Sequence, residues 1–192
     1  MPRLVLASSS LSRRNLLQRL RVPFEIVIPD VDETPAPAES PPATASRLAR
    51  AKAEAVRRHA PDAFIIGSDQ VAEIDGERFG KPLTHANAVA QLQRMRGHRV
   101  VFHTALCLLD AHTGNVQSAL VPVAVHYRDY QDSQIERYLA EEQPYQCAGS
   151  AKFEGLGIAL VEKIEGDDPS ALIGLPLMAL VTMLGNAELE VL

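Results

Sequence analysis

The chain has 192 residues, 19 lysines and arginines against 24 acidic residues, and a hydrophobic fraction of 46%. That is enough apolar material for one folded domain, or two small lobes sharing a core, and too much for a disordered chain. A net charge of −5 excludes a general nucleic-acid binder, which needs a positive field to release counterions from phosphate. The two cysteines, Cys107 and Cys147, form no CxxC, which excludes a zinc ribbon or a disulfide scaffold and fits a reducing, cytoplasmic setting.

The most apolar run, residues 171–184, is interrupted by Pro176 and falls short of the roughly 20 residues a bilayer crossing requires. No membrane association is therefore expected. The first 22 residues hold Arg3, Arg13, Arg14, Arg19 and Arg21 and no acid, a composition that imitates a transit peptide. Their apolar run LVLA is too short for a secretory core, so residues 3–7 read as a buried strand. A serine-rich turn follows, and then a helix to residue 21 with Leu16, Leu17 and Leu20 on one face.

Residues 24–28 read as a second strand stopped by Pro29. Residues 30–43 contain Pro35, Pro37, Pro41 and Pro42 and read as an irregular loop, with 34–43 long enough to act as a lid. The alanine-rich stretch 43–60 is a helix. Residues 63–74 are a hydrophobic strand broken by Gly67, and 75–77 a hairpin turn. Thr84 caps a helix that runs to Met95 and stops at Gly97. Strands follow at 99–109 and 116–127, then a short helix with a capping box from Ser133 to Glu136. A glycine-punctuated loop, CAGSAKFEGLG, leads to a strand at 157–164, and Pro176 opens the last helix. This order defines an α/β fold with a mixed, bent sheet and helices on its faces.

Four segments carry candidate chemistry. LASSSLSRR places small hydroxyl residues and Arg13 at a helix N-terminus, where free N–H groups and the helix dipole favour an anion. Two arginines in a first helical turn oppose that dipole, which a bound phosphate would explain; the plainer alternative is a Ser-capped helix with solvated arginines. In IIGSDQV, Asp69 sits at the apparent end of a strand, as a base, a cation ligand or merely a turn cap. Only four lysines accompany 15 arginines, and Lys52, Lys81 and Lys152 fall in candidate segments. The bunched acids Asp30, Asp32 and Glu33 are either a solvated turn or, with Asp69, an oxygen-rich cation site. His98 and His103, on opposite faces of one strand, suggest no metal role, and Cys147 reads as a small buried residue.

Together these motifs, in this order and spacing, resemble the Maf family of nucleotide pyrophosphatases across nearly the whole chain. The pairing of GSDQV with CAGSAKFEG is most similar to the subgroup acting on 7-methyl-GTP. The resemblance implies a single domain over 1–192 with two lobes and a cleft, as in Maf and ITPase-like folds. It implies hydrolysis of the α–β phosphoanhydride to a monophosphate and pyrophosphate with magnesium or manganese. Asp69 would be the general base. Ser8, Arg13, Glu33, Lys52 and Lys81 would line the phosphate and metal site, Glu33 and Asp69 as the metal carboxylates. Ser12, Gln70 and Glu154 would tune base preference, with Lys152 beside them. Leu11 stands where the family usually has proline, and a small Ser12 cannot stack on a purine. The expected partner is a small nucleotide, with a homodimer left open. The competing readings are a nucleotide sensor without turnover and a dTTP/UTP pyrophosphatase.

Overall fold

A computed structural model describes residues 3–192. Its frame is one seven-stranded sheet in the order β2-β1-β3-β5-β6-β7, with β4 paired to the far end of β3. Strands β1 (Arg3–Ala7), β2 (Glu25–Val27) and β3 (Ala63–Ile74) run parallel, and the crossovers between them carry α1 (Leu11–Gln18) and α2 (Pro41–Val56). Strands β4 (Glu77–Phe79), β5 (Arg99–Asp110), β6 (Val116–Tyr127) and β7 (Val161–Glu165) pair antiparallel. Helices α3 (His85–Met95), α4 (Asp132–Glu142) and α5 (Leu177–Asn186) complete the molecule. The mixed α/β architecture is the one the sequence implied.

Side-chain alternation along the strands sorts the core into three clusters. Val5, Ala7, Ile65, Ala105, Cys107 and Leu109 face α2. Their neighbours Leu4, Leu6, Ile66, Leu106 and Leu108 face α1 and α5. The opposite ends of the long strands, with Ala72, Phe102 and Val125, pack against α3 and α4. Each of β3, β5 and β6 has twelve residues, long enough to serve both the end packed on α1, α2 and α5 and the end packed on α3 and α4, which form the two lobes. Strand β1 leaves β3 after the Ala7–Gly67 pair, and β4 joins only at Ala72. Ser68 to Val71 therefore pair with β5 alone and border a gap in the sheet. The gap lies at the carboxyl end of parallel strand β1, where α/β sheets collect their ligands.

Several local expectations change. Pro41 and Pro42 are the first two residues of α2, where backbone N–H groups lack intrahelical partners and proline is tolerated. The irregular segment thus ends at Ser40, and α2 gives way at Val56 to a 3₁₀ turn over Arg57–His59. The capping pair of α4 is Gln131 with Gln134, whose side chain accepts the Gln131 N–H at 2.8 Å, not Ser133 with Glu136. Glu136 instead meets His85 at 2.9 Å. Helix α1 stops at Gln18, β2 is only three residues, and the expected strand at 157–164 begins as a 3₁₀ turn, Leu156–Leu160. His98 precedes β5 rather than lying on it, and His103 pairs with Glu73 at 2.7 Å. The Asp75–Gly76 hairpin is as expected, with both residues at positive φ. Among the described residues, no helix is long and apolar enough to cross a membrane.

Candidate active site

The centre of the site follows from how closely α2 lies on the sheet. Its buried face is Ala45, Leu48, Ala49, Lys52, Ala53 and Val56, the spacing of one helical stripe. Alanines bring the helix near β3, and Gly67 brings β3 near the helix: a β-carbon there would overlap the Ala49 carbonyl oxygen. Gly67 therefore does not break β3. Nor does Asp69 stand at a strand end; it lies inside continuous β3, opposite the point where its neighbour β1 has stopped. The close approach carries the Lys52 ammonium to Asp69 Oδ1 at 2.6 Å, with both residues buried.

Lys52 also reaches Glu33 Oε1 at 2.7 Å, and the other Glu33 oxygen meets Lys81 at 3.1 Å. Glu33 comes from the segment after β2 and Lys81 from the segment between β4 and α3, so this chain of charges crosses the gap. Partial desolvation alone would raise the Glu33 pKa. Hydrogen bonding and attraction from Lys52 and Lys81 outweigh it and hold the carboxyl below its usual range.

On the other side of the gap, Ser10 caps α1 by accepting the Arg13 N–H at 3.3 Å, and the buried Ser8 accepts the Ser10 N–H at 3.1 Å. The Arg13 side chain is half-buried, and its Nε donates to the Gly174 carbonyl at 2.7 Å. Burial pulls the Arg13 pKa below the ordinary arginine value, and the nearby Asp69 and Glu33 charges work against that pull. Arg13, Lys52 and Lys81 thus surround one pair of carboxylates, while Arg14 is exposed.

Gln70 points to the opposite face from Asp69. Its Nε2 is spent on Thr104 Oγ1 at 2.9 Å and on the carbonyls of Ala171 and Leu172 at 3.0 and 3.1 Å. Only its carbonyl oxygen is left to a ligand. Ser12 on α1 donates to Glu154, closing a second bridge between the lobes. Lys152 is tied to Glu142 of α4 at 2.6 Å. Cys147 is only partly buried, not buried as the sequence suggested, and partial desolvation pushes its thiol up to about 11.

The donor set suits a divalent cation that arrives with phosphate. Asp69 Oδ2 accepts no hydrogen bond among the described residues, and Glu33 stands across Lys52 from it. Magnesium is typically held by one or two carboxylates, with substrate phosphates and water completing the shell. Three cations, Arg13, Lys52 and Lys81, against two carboxylates, Glu33 and Asp69, leave this cluster with excess positive charge.

Sequence reasoning missed the residues that hold this machinery. Arg47 clamps Glu39 at 2.7 Å and the Thr34 carbonyl at 3.1 Å, and Arg78 of β4 donates to the Glu39 carbonyl, which straps the proline segment across the lobes. Asp168 and Ser170 accept the first N–H groups of α5 and so fix the turn whose Gly174 carbonyl holds Arg13. Apart from Arg78 to Glu39 and Arg13 to Gly174, these contacts span only 7 to 13 residues, but they run through irregular segments where no helix or strand period announces them.

The fold and this arrangement define a class: α/β proteins in which a buried aspartate and a ring of cations face a gap in a mixed sheet between two lobes. The chain belongs to the Maf-like protein family, whose profile matches residues 3–187. It is 57% identical over 192 residues to a protein of Methylobacillus flagellatus named 7-methyl-GTP pyrophosphatase, with 100% of both chains covered. Proteins with the same name from Ralstonia nicotianae and Thiobacillus denitrificans are 59% and 57% identical over 187 and 191 residues. They cover 97% and 100% of this chain, and 96% and 95% of those relatives.

Proposed function

We propose that this protein is a nucleoside triphosphate pyrophosphatase acting on 7-methyl-GTP and releasing 7-methyl-GMP and pyrophosphate. The observation that carries the reading is the buried Lys52–Asp69 pair at 2.6 Å, joined through Glu33 to Lys81 and flanked by Arg13. It sits in a family whose relatives bear that activity in their name.

Arg13, Lys52, Lys81 and the N-terminus of α1 bind the polyphosphate, whose charge must be compensated before a nucleophile can approach. Glu33 competes with phosphate oxygens for the two lysines, so the site is neutral enough to stay folded and cationic enough to bind. Lys52 engages one Asp69 oxygen and leaves the other without a hydrogen-bond donor among the described residues. That free oxygen orients a water and takes its proton as the water oxygen bonds to the α-phosphorus. The bond from that phosphorus to the bridging oxygen breaks, and pyrophosphate leaves with the electron pair. General-base help of this kind is worth about 10²- to 10⁴-fold. Glu33 and Asp69 would hold a divalent cation, which supplies further charge neutralisation on the phosphates.

At the base end, the exposed Glu154 accepts from guanine N1–H and N2–H, and its charge favours the cationic methylated ring. Ser12 holds Glu154, and the Gln70 carbonyl is available to a base donor. The test is pyrophosphate release from a panel of nucleoside triphosphates, including 7-methyl-GTP, UTP and dTTP, with magnesium and with manganese. Turnover greatest on 7-methyl-GTP is expected. Preference for the pyrimidines, or tight binding without hydrolysis under either metal, would overturn the reading.

A further inference from the structure

The loop that presents Glu154 is pinned from behind by α4. Tyr138 and Glu142 lie one helical turn apart and both reach it. The buried Tyr138 hydroxyl donates to the Ser150 carbonyl at 3.0 Å and accepts the Lys152 N–H at 3.0 Å. Glu142 takes the Lys152 ammonium on Oε2 at 2.6 Å and the Leu156 N–H on Oε1. Both oxygens of one carboxylate are thus spent on the residues that flank Glu154, and that side chain is only 15% exposed. Gly155 permits the approach, because a β-carbon there would run into the Glu142 carboxylate. The Lys152 carbonyl closes the turn by accepting the N–H groups of Gly155 and Gly157, each at 3.1 Å.

We propose that Glu142 is a specificity-positioning residue: by clamping Lys152 and Leu156 it holds the Glu154 carboxylate where it meets the nucleobase. The proposal rests on the reading of Glu154 as the base contact. Two physical effects support it. A loop fixed in advance pays less ordering cost when ligand binds. In addition, Glu154 lies within the electrostatic reach of Lys152. With Glu142 gone, the freed ammonium would pair with Glu154 and neutralise the charge that attracts a cationic base.

The experiment measures kcat and KM for 7-methyl-GTP and UTP in the wild type, Glu142→Gln, Glu142→Ala, Glu154→Ala and the Glu142→Ala/Glu154→Ala double variant. Glu142→Ala is expected to raise KM for 7-methyl-GTP about tenfold, with a much smaller change in kcat, and to cut the purine-to-pyrimidine selectivity by the same factor. Glu142→Gln, which keeps an acceptor for Leu156, falls in between and carries the test if the alanine variant does not fold. In the Glu154→Ala background, losing Glu142 adds nothing to the selectivity defect. Unchanged selectivity in both Glu142 variants, or an equal loss with and without Glu154, would overturn the positioning role. If Glu154→Ala discriminates as the wild type does, the base-contact reading fails and the proposal with it.

Discussion

Lys52 is the residue on which the electrostatics turn. A lysine on the buried stripe of an alanine-rich helix would be costly without a partner, and here it has two carboxylates, Asp69 and Glu33. Removing the cation is expected to hurt more than removing the acid. Lys52→Met strips the buried Asp69 of its hydrogen-bonded cation and leaves only the more distant Arg13 charge, which should cost about 3–5 kcal/mol in urea unfolding. Asp69→Asn leaves Lys52 still paired with Glu33 and should cost much less. The double variant Lys52→Met/Asp69→Asn should recover much of the lost stability. Additive destabilisation would show that the two side chains do not act as a pair. This residue was legible in outline: positions 45, 48, 49, 52, 53 and 56 share one helical face, so the sequence period already places the lysine inward. Glu142 gave no such signal, because its partners lie 10 and 14 residues away in an irregular loop.

At the scale of elements, the contact between α2 and β3 sets the geometry of the centre. Gly67 was noticed in the sequence but assigned the wrong task. A glycine in a strand can mark a break or a close backbone approach, and only the neighbouring helix decides which. Gly67→Ala forces α2 off the sheet and draws Lys52 from Asp69. A loss of about 1–3 kcal/mol or more is expected from overpacking, together with a fall in kcat. Retained activity with wild-type stability would mean that the helix can yield without disturbing the pair. The regular elements were otherwise readable: β3 and β6 have the expected bounds, and Thr84 caps α3 as its position suggested. Misreadings fell where chain-local rules compete. Prolines that break a helix interior are harmless at its first turn, and a glutamine pair replaced the expected serine–glutamate cap.

At the scale of the whole molecule, function depends on a sheet whose strands differ in length. Long β3, β5 and β6 span both lobes, short β1 ends midway, and the gap left along β3 leaves Ser68 to Val71 of the GSDQV segment without a strand partner on that side. The sequence suggested the motif and the mixed sheet. It could not supply the register that places Asp69 beyond the end of β1, because register is set by pairing between distant segments. Bridges from Glu33 to Lys81 and from Ser12 to Glu154 then link the lobes on either side of the gap. The account as a whole is tested most directly by hydrolysing 7-methyl-GTP in water enriched in the heavy oxygen isotope and analysing the products by mass. Label confined to 7-methyl-GMP, with unlabelled pyrophosphate and loss of the reaction in Asp69→Asn, is the expected result. Orthophosphate with a nucleoside diphosphate, label in pyrophosphate, or undiminished turnover without the Asp69 carboxylate would contradict it.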